Sequence, residues 1–407
     1  MPLNISYMGT KRRLAASVAK IVALAPEGPM LDLFSGMCAV ASAVTPTRPI
    51  WCNDVQFFAE EVSKAFFGST DGPRISVSLT TKIREEYVQN RRALRARFAA
   101  KRLAEAEALD SKNARLIAKV DASAPNIGTS RILESERKTL LQAPRSFPYR
   151  MFTMTFSGAY FGLEQSIEID SVRYAIDRLL SRGVIGLEQH RWMLLALCQA
   201  ACKTANTTGH FAQFLKVKPS NVSRFVRQRR RSILDEWLGA IRGLSPLGSQ
   251  AWRKRNRTFR TDAISLLSHL RKEDLKPAVI YADPPYTGDH YSRYYHVYES
   301  LVRYDYPPSS GIGRYRPDRF QSAFSLKSRI ADEIERLAEL SSAIGAELVL
   351  SYPQNGLLNN STKAIPSILS KYYSRHEVFE IAHFHSSLGG SKGIERHPVV
   401  EMIYRAH

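Results

Sequence analysis

The stretch KPAVIYADPPY, residues 276–286, admits few structures. Residues 278–282 are continuously apolar rather than alternating, which fits a strand covered on both faces. Pro284 and Pro285 then remove two ladder donors and fix two φ angles, so pairing stops there. A strand covered on both faces belongs to a parallel sheet flanked by helices. Asp283 and Tyr286 would then stand at the carboxyl edge of such a sheet, backed by a stiff turn.

Both ends of the chain repeat that pattern. Residues 12–25 read as an amphipathic helix, 30–34 as a short apolar strand, and MCAVASAVT as a helix starting directly after Gly36. RPIWCNDV gives a second strand and QFFAEEVSKAFFG a helix. The alternation resumes near Thr258 with TFRTDA as a short strand, ISLLSHLRKED as a helix and PAVIYA as a strand. A helix from about Ser325, capped by that serine, precedes the strand AELVLSY. RHEVFEIAHF and HPVVEMIYRA alternate well and predict an antiparallel edge pair. A Gly-Gly loop, GGSKG, joins those two strands and predicts a hairpin connection.

The middle differs. Residues 82–119 hold eleven Lys/Arg against five Asp/Glu and predict a long helix or helical hairpin. Residues 120–148 are richer in Ser, Pro and Gly and read as a linker or loop. Residues 150–216 return to apolar helical patterning. In 221–260, eleven basic residues meet two acidic ones. That stretch alone carries +9 of a formal net charge of +20. A chain this basic meets a polyanion more often than not. Arg224, Arg227, Arg229, Arg230, Arg231, Arg253, Lys254 and Arg255 interleave with aromatics, a mixture suited to phosphate contacts and base stacking. Past the proline turn, Tyr291 and Arg293 lie in a dense run of Tyr, His and Arg. That run either closes over a nucleic-acid base or is a surface loop with ordinary packing tyrosines.

Several classes are excluded. No apolar run reaches the ~20 residues of a membrane span. The N-terminus lacks the apolar segment of a secretory signal, so a cytoplasmic location is expected. Cys38, Cys52, Cys198 and Cys202 form no CxxC pair, and neither a disulfide framework nor a metal site is expected.

Three motifs suggest chemistry. In LDLFSG, Gly36 at a strand-to-helix turn lets a ligand approach the backbone closely. Asp54 ends the next strand, 22 residues after Asp32, where an acid can bond both hydroxyls of a ribose. It also suits a helix N-cap. No GK[ST] follows the first strand, so adenosine rather than a triphosphate is implied. At Asp283–Tyr286, fixed acceptors suit a substrate with two N–H donors, such as an exocyclic amine, and Tyr286 offers a stacking face.

YMGTK (Tyr7, Gly9, Thr10, Lys11), DLFSG, ND, TDA and DPPY, in this order, resemble the Dam-like alpha group of adenine-specific DNA methyltransferases. The resemblance implies an α/β fold whose Rossmann-like methyltransferase sheet is mostly parallel, with an antiparallel C-terminal edge pair. A large, mainly helical insertion would interrupt it. Residues 1–69 and 257–407 would form the catalytic domain, and 70–256 a basic insertion for target recognition. The implied cofactor is S-adenosylmethionine, with no metal. Tyr7, Gly9, Thr10 and Lys11 would hold its methionine end, as would the turn of Asp32, Phe34, Ser35 and Gly36. Asp54 would bind its ribose and Asp262 its adenine. Asp283, Pro284, Pro285 and Tyr286 would be catalytic, acting on an adenine flipped out of double-stranded DNA. A restriction or defence-system partner is the associated expectation.

Two positions depart from that group. Cys38 stands where a glycine is often found, and Ala263 where a Phe commonly packs on the cofactor adenine. Two alternatives stay open: an RNA adenine methyltransferase, which the motifs do not separate from a DNA enzyme, and a nucleic-acid binding protein with a degenerate methyltransferase domain, which Cys38 and Ala263 support.

Overall fold

The structure is a computed structural model. It describes residues 3, 5, 11, 13–288, 291–385 and 397–407, with the backbone alone for 382–385 and 397–399. Seven strands make one sheet: β1 Met30–Asp32, β2 Ile50–Asn53, β3 Arg257–Phe259, β4 Val279–Ala282, β5 Glu347–Pro353, β6 His376–His385 and β7 His397–Ala406. Their order is β3-β2-β1-β4-β5-β7-β6. The first five run parallel to one another, and β7 is antiparallel to both β5 and β6. This is the mixed sheet with an antiparallel C-terminal pair that the apolar and alternating runs predict.

The physical cause of the parallel centre is burial. Every residue of β1, β2 and β4 is buried, so these strands need helices on both faces. Each fully buried Val, Leu or Ile contributes about 1.5–3 kcal/mol. One face packs the helices Ala263–Lys272 and Ile330–Ile344 through Leu267, Leu270, Ile334 and Leu337. The other packs Ala15–Val22 and Phe57–Gly68 through Val18, Val22, Phe58 and Val62.

Between Phe57–Gly68 and β3 the chain forms a series of helices joined by loops. Val77–Arg97 packs on Leu163–Ser181, and Leu187–Thr204 on Ile233–Arg242. The apolar core runs without a break from the sheet face into these helices, through Phe66, Trp192, Trp237 and Tyr298. The Trp192 and Trp237 indole N–H groups donate to Asp71 O and Met193 O, both at 2.9 Å.

Three local expectations differ from the structure. Residues 120–148, read as a linker, contain the helix Arg131–Gln142, capped by Ser130 Oγ accepting from Leu133 N. Its RILESERKTLLQ pattern is helical; the flanking Ser, Pro and Gly residues masked it. Ser325 does not cap the helix before β5. It ends a short 3-10 turn capped by Ser322, and the helix starts at Ile330. The helix after Gly36 starts at Ala39, because Gly36 and Cys38 both take positive φ, 47° and 55°. The Gly-Gly loop between β6 and β7 lies outside the described residues. No helix among the described residues is long and apolar enough to cross a membrane.

Candidate active site at the carboxyl edge of the sheet

The chain leaves β1 towards β2 and β3, then returns across the sheet to β4. Between β1 and β4 the connections diverge, which opens a crevice at the carboxyl ends of the strands. A cleft of about 1130 Å³, counting the space open to solvent at its mouth, occupies it. From β1 and its turn it is lined by Asp32, Phe34, Ser35 and Gly36, from the end of β2 by Asn53 and Asp54, and from β3 onward by Thr261, Asp262 and Ala263. From β4 come Tyr281, Asp283, Pro284, Pro285 and Tyr286, with Tyr291 and Ser292 beyond them. Lys11 reaches it from the N-terminal segment, and Phe320, Gln321, Ser322 and Ser325 complete the wall. Thus Lys11, Asp32, Phe34, Ser35, Gly36, Asp54, Asp262 and Asp283–Tyr286 converge on one cavity. Tyr7, Gly9 and Thr10 lie outside the described residues.

The turn after β1 is tied to its neighbours by backbone bonds. Leu33 N donates to Tyr281 O, and Ser35 N to Asn53 O, both at 2.9 Å. Asp54 Oδ2 accepts from Gly36 N at 3.0 Å, and its Oδ1 from Gln56 N at 3.0 Å. Asp54 therefore braces the glycine turn as well as facing the cleft. Burial raises its pKa, against the pull of those backbone N–H groups. Asn53 staples three segments: its Nδ2 donates to Leu33 O and Thr261 O, and its Oδ1 accepts from Thr261 N. Asp262 Oδ1 caps the helix Ala263–Lys272 by accepting from Ile264 N and Ser265 N, both at 3.1 Å.

Around the proline turn the acceptors are held rigidly. Pro284 is buried, and Tyr286 O accepts from Leu357 N at 3.0 Å. The Tyr286 and Tyr291 rings stand edge to face, their centroids 6.4 Å apart. Lys11 Nζ is 3.1 Å from Asp283 Oδ1, 2.6 Å from Glu401 Oε1 and 5.1 Å from the Tyr286 ring centre. Burial pushes the Asp283 carboxyl up to about 7; Lys11 pulls it down and Glu401 pushes it further up. Asp32 is pushed up to about 8, first by burial and then by Asp283 and Asp54, against the pull of its bond from Ala41 N.

The donor set tests which ligands fit. Four acids, Asp32, Asp54, Asp262 and Asp283, line the cleft, with Lys11 the one cation among the described lining residues. That ammonium already faces two carboxylates. A polyphosphate would meet repulsion here. A cationic ligand rich in hydroxyl and amino donors meets acceptors, and S-adenosylmethionine has that character. Ala263 leaves no aromatic ring beside Asp262, but Phe34 and the half-exposed Phe320 supply flat apolar wall elsewhere in the cleft.

The basic residues divide sharply. Arg229 is buried, stacks on Phe225 and faces Asp121 and Glu105. Arg253 is buried and donates to Ser69 O, Thr70 O, Leu247 O and Gly248 O. An expectation that these two grip phosphate does not fit their burial, since both guanidinium groups are committed inside the protein. Arg230 pairs with Asp110, and Arg231 with Glu236. Arg224, Arg227, Lys254 and Arg255 are exposed. Earlier in the chain, Arg91, Arg95 and Arg102 converge on Glu164, so part of the positive charge of residues 82–119 is also paired within the protein. Tyr291 faces the cleft, whereas Arg293 lies over the Tyr294 ring and bonds its hydroxyl.

The sequence motifs did not include Glu401, Ser351 or the 320–325 wall. Glu401 shares its strand face with Arg405 as well as Ile403, so the alternation of β7 did not single it out.

The chain is 29% identical over 192 residues to modification methylase LlaI of Lactococcus lactis subsp. lactis, covering 47% of this chain and 28% of that protein. It is 20% identical over 375 residues to modification methylase StsI of Streptococcus sanguinis, covering 90% of this chain and 46% of that protein. To type II methyltransferase M.FokI of Planomicrobium okeanokoites it is 26% identical over 214 residues, covering 52% and 29%. No family model matches the chain. The chain spans less than half the length of each of these three relatives. It is a distant homologue of type II DNA modification methylases.

Proposed function

We propose that this chain transfers a methyl group from S-adenosylmethionine to the exocyclic amine of adenine in double-stranded DNA, at a specific sequence, after flipping the base. One observation carries the reading: a single cleft unites the glycine turn, Asp54 and Asp262 with Asp283–Tyr286. The likeness to modification methylases supports the DNA substrate, and the Dam-like order of motifs supports adenine.

S-adenosylmethionine would supply an electrophilic methyl carbon on a sulfonium. The residues of this chain do the rest. Asp54 and Asp262 offer oxygens to the ribose and the adenine of the cofactor, and the Gly36 turn admits its methionine end. Asp283 and the Pro284 carbonyl accept the two N–H bonds of the substrate amine. That draws the nitrogen towards a pyramidal shape with its lone pair directed at the methyl carbon. Transfer would form a C–N bond at that nitrogen as the S–C bond breaks to leave a neutral thioether, and the nitrogen held by Asp283 and the Pro284 carbonyl would shed one proton to solvent. Alignment of two bound reactants supplies most of the rate. Tyr286, edge to face with Tyr291, gives the flipped base a stacking surface.

The helical segment 70–256 is assigned target recognition in this proposal. Arg224, Arg227, Lys254 and Arg255 supply its salt-dependent grip on phosphates. A partner restriction nuclease or defence system belongs to the same proposal, as does residence in the cytoplasm on the nucleoid. Long-read methylation mapping of DNA from a host expressing the protein tests it. Modified adenines at one recurring sequence are expected. Their absence, or their persistence in Asp283→Ala, would refute it.

A further inference from the structure

Glu401 lies in β7, 390 positions along the chain from Lys11, and is 2% exposed. Its Oε1 accepts from Lys11 Nζ at 2.6 Å and from Ser351 Oγ at 2.7 Å. The same ammonium stands 3.1 Å from Asp283 Oδ1. That second contact is an ion pair without hydrogen-bond alignment, so Asp283 Oδ1 is buried with no directed donor. Neither Glu401 nor Ser351 lines the cleft. Glu401 therefore reaches Asp283 by holding Lys11 and, more weakly, by its own charge, which pushes that carboxyl up against the stronger pull of Lys11.

We propose that Glu401 is a positioning residue: it fixes the Lys11 ammonium against Asp283, keeping that carboxylate ionised and immobile as acceptor for the substrate amine. The proposal rests on the methyl-transfer reading above. A lysine side chain has four rotatable carbons and three donors, and a single long contact to Asp283 would not hold it. Glu401 supplies the short bond, and Ser351 orients Glu401. Burial pulls the Lys11 ammonium down, but Asp283 and Glu401 outweigh it and leave it raised, so it stays charged.

The groups facing Asp283 are Lys11, Glu401 from β7, Asp32 from β1, Tyr281 from β4, and Tyr286 and Tyr291 beyond the proline turn. Burial holds all three phenols neutral. Without Lys11, two buried carboxylates would share the site and one would take a proton. A protonated Asp283 would present an O–H where the substrate needs an acceptor.

Two measurements on the full chain test this. The first needs no activity: carbon-13 carboxyl titration of aspartate-labelled protein, with Asp283 assigned through Asp283→Asn. In Glu401→Gln an oxygen still accepts from Lys11 while the negative charge is gone, so the Asp283 midpoint falls by about one pH unit. In Lys11→Met it rises by about one unit or more. An unmoved midpoint in both overturns the proposal. If Glu401→Gln does not fold, the direction of the Lys11→Met shift decides. The second is single-turnover methyl transfer at pH 9. At saturating DNA and cofactor, Glu401→Leu, which releases Lys11, slows transfer about tenfold or more, and Glu401→Gln restores most of the rate. Equal rates for wild type and Glu401→Leu overturn it. Should wild type transfer no methyl group at all, the proposed function fails, while the titration still decides the role of Glu401.

Discussion

Replacing Asp54 by Asn separates ligand binding from folding. In the folded protein each carboxylate oxygen takes one backbone N–H, Gly36 N on Oδ2 and Gln56 N on Oδ1, both at 3.0 Å. Asn keeps the bond from Gln56, but its NH2 then confronts the Gly36 N–H, donor against donor. One hydrogen bond to a charged group is lost, worth about 1.5–3 kcal/mol. The glycine turn loosens where the ligand must approach, and one acceptor for the ribose hydroxyls disappears. If that loss falls on binding, affinity for S-adenosylmethionine weakens about 10- to 150-fold. Stability should respond less. Burial raises the Asp54 pKa, so the folded state carries a penalty for the charged form that Asn removes. The two effects oppose one another, and the net change in unfolding free energy is about 1 kcal/mol or less. Titration calorimetry gives the affinity, and a urea melt at the same pH gives the stability. Affinity within twofold of wild type would refute the assignment of Asp54 and the turn to the cofactor.

Asp32 makes a pH prediction. Its folded pKa of about 8 lies well above the usual carboxylate range, so the folded state binds the extra proton. Stability is therefore lost as pH rises from about 4 to about 8. Asp32→Asn should remove that dependence, raising the melting temperature relative to wild type at pH 8 more than at pH 5; parallel pH profiles would contradict it. Arg253→Ala strands the carbonyls of Ser69, Thr70, Leu247 and Gly248 and should cost about 3 kcal/mol or more in a urea melt. The exposed Arg224→Ala and Arg227→Ala should leave the melt within about 0.5 kcal/mol. Each should lower the slope of log affinity for DNA against log salt by about one, measured by fluorescence anisotropy. Phe320→Ala should weaken S-adenosylmethionine binding about tenfold, the scale of one lost stacking contact, in the same calorimetric assay.

The sheet was legible because its strands announce themselves locally. The run 278–282 shows burial on both faces, Pro284 and Pro285 mark its end, and the alternation in β6 and β7 gives the antiparallel edge. The cavity followed from the same reasoning, since Gly36, Asp54, Asp262 and Asp283 each end a strand or start the helix that follows one. What was not legible depends on contacts distant in the chain. Arg229 and Arg253 look like their exposed neighbours in composition, and only packing buries them. Glu401 meets Lys11 because β7 lies beside β5, which no local pattern reveals. The helix Arg131–Gln142 was hidden by Ser, Pro and Gly on either side, although Ser130 is a sound cap.

The most direct test mixes the protein with duplex oligonucleotides and S-adenosylmethionine carrying a labelled methyl group, then hydrolyses the DNA to nucleosides for mass spectrometry. The label should appear on the exocyclic nitrogen of deoxyadenosine and vanish in Asp283→Ala. Label on cytosine, label only on RNA supplied in parallel, or no label with wild type would contradict the account.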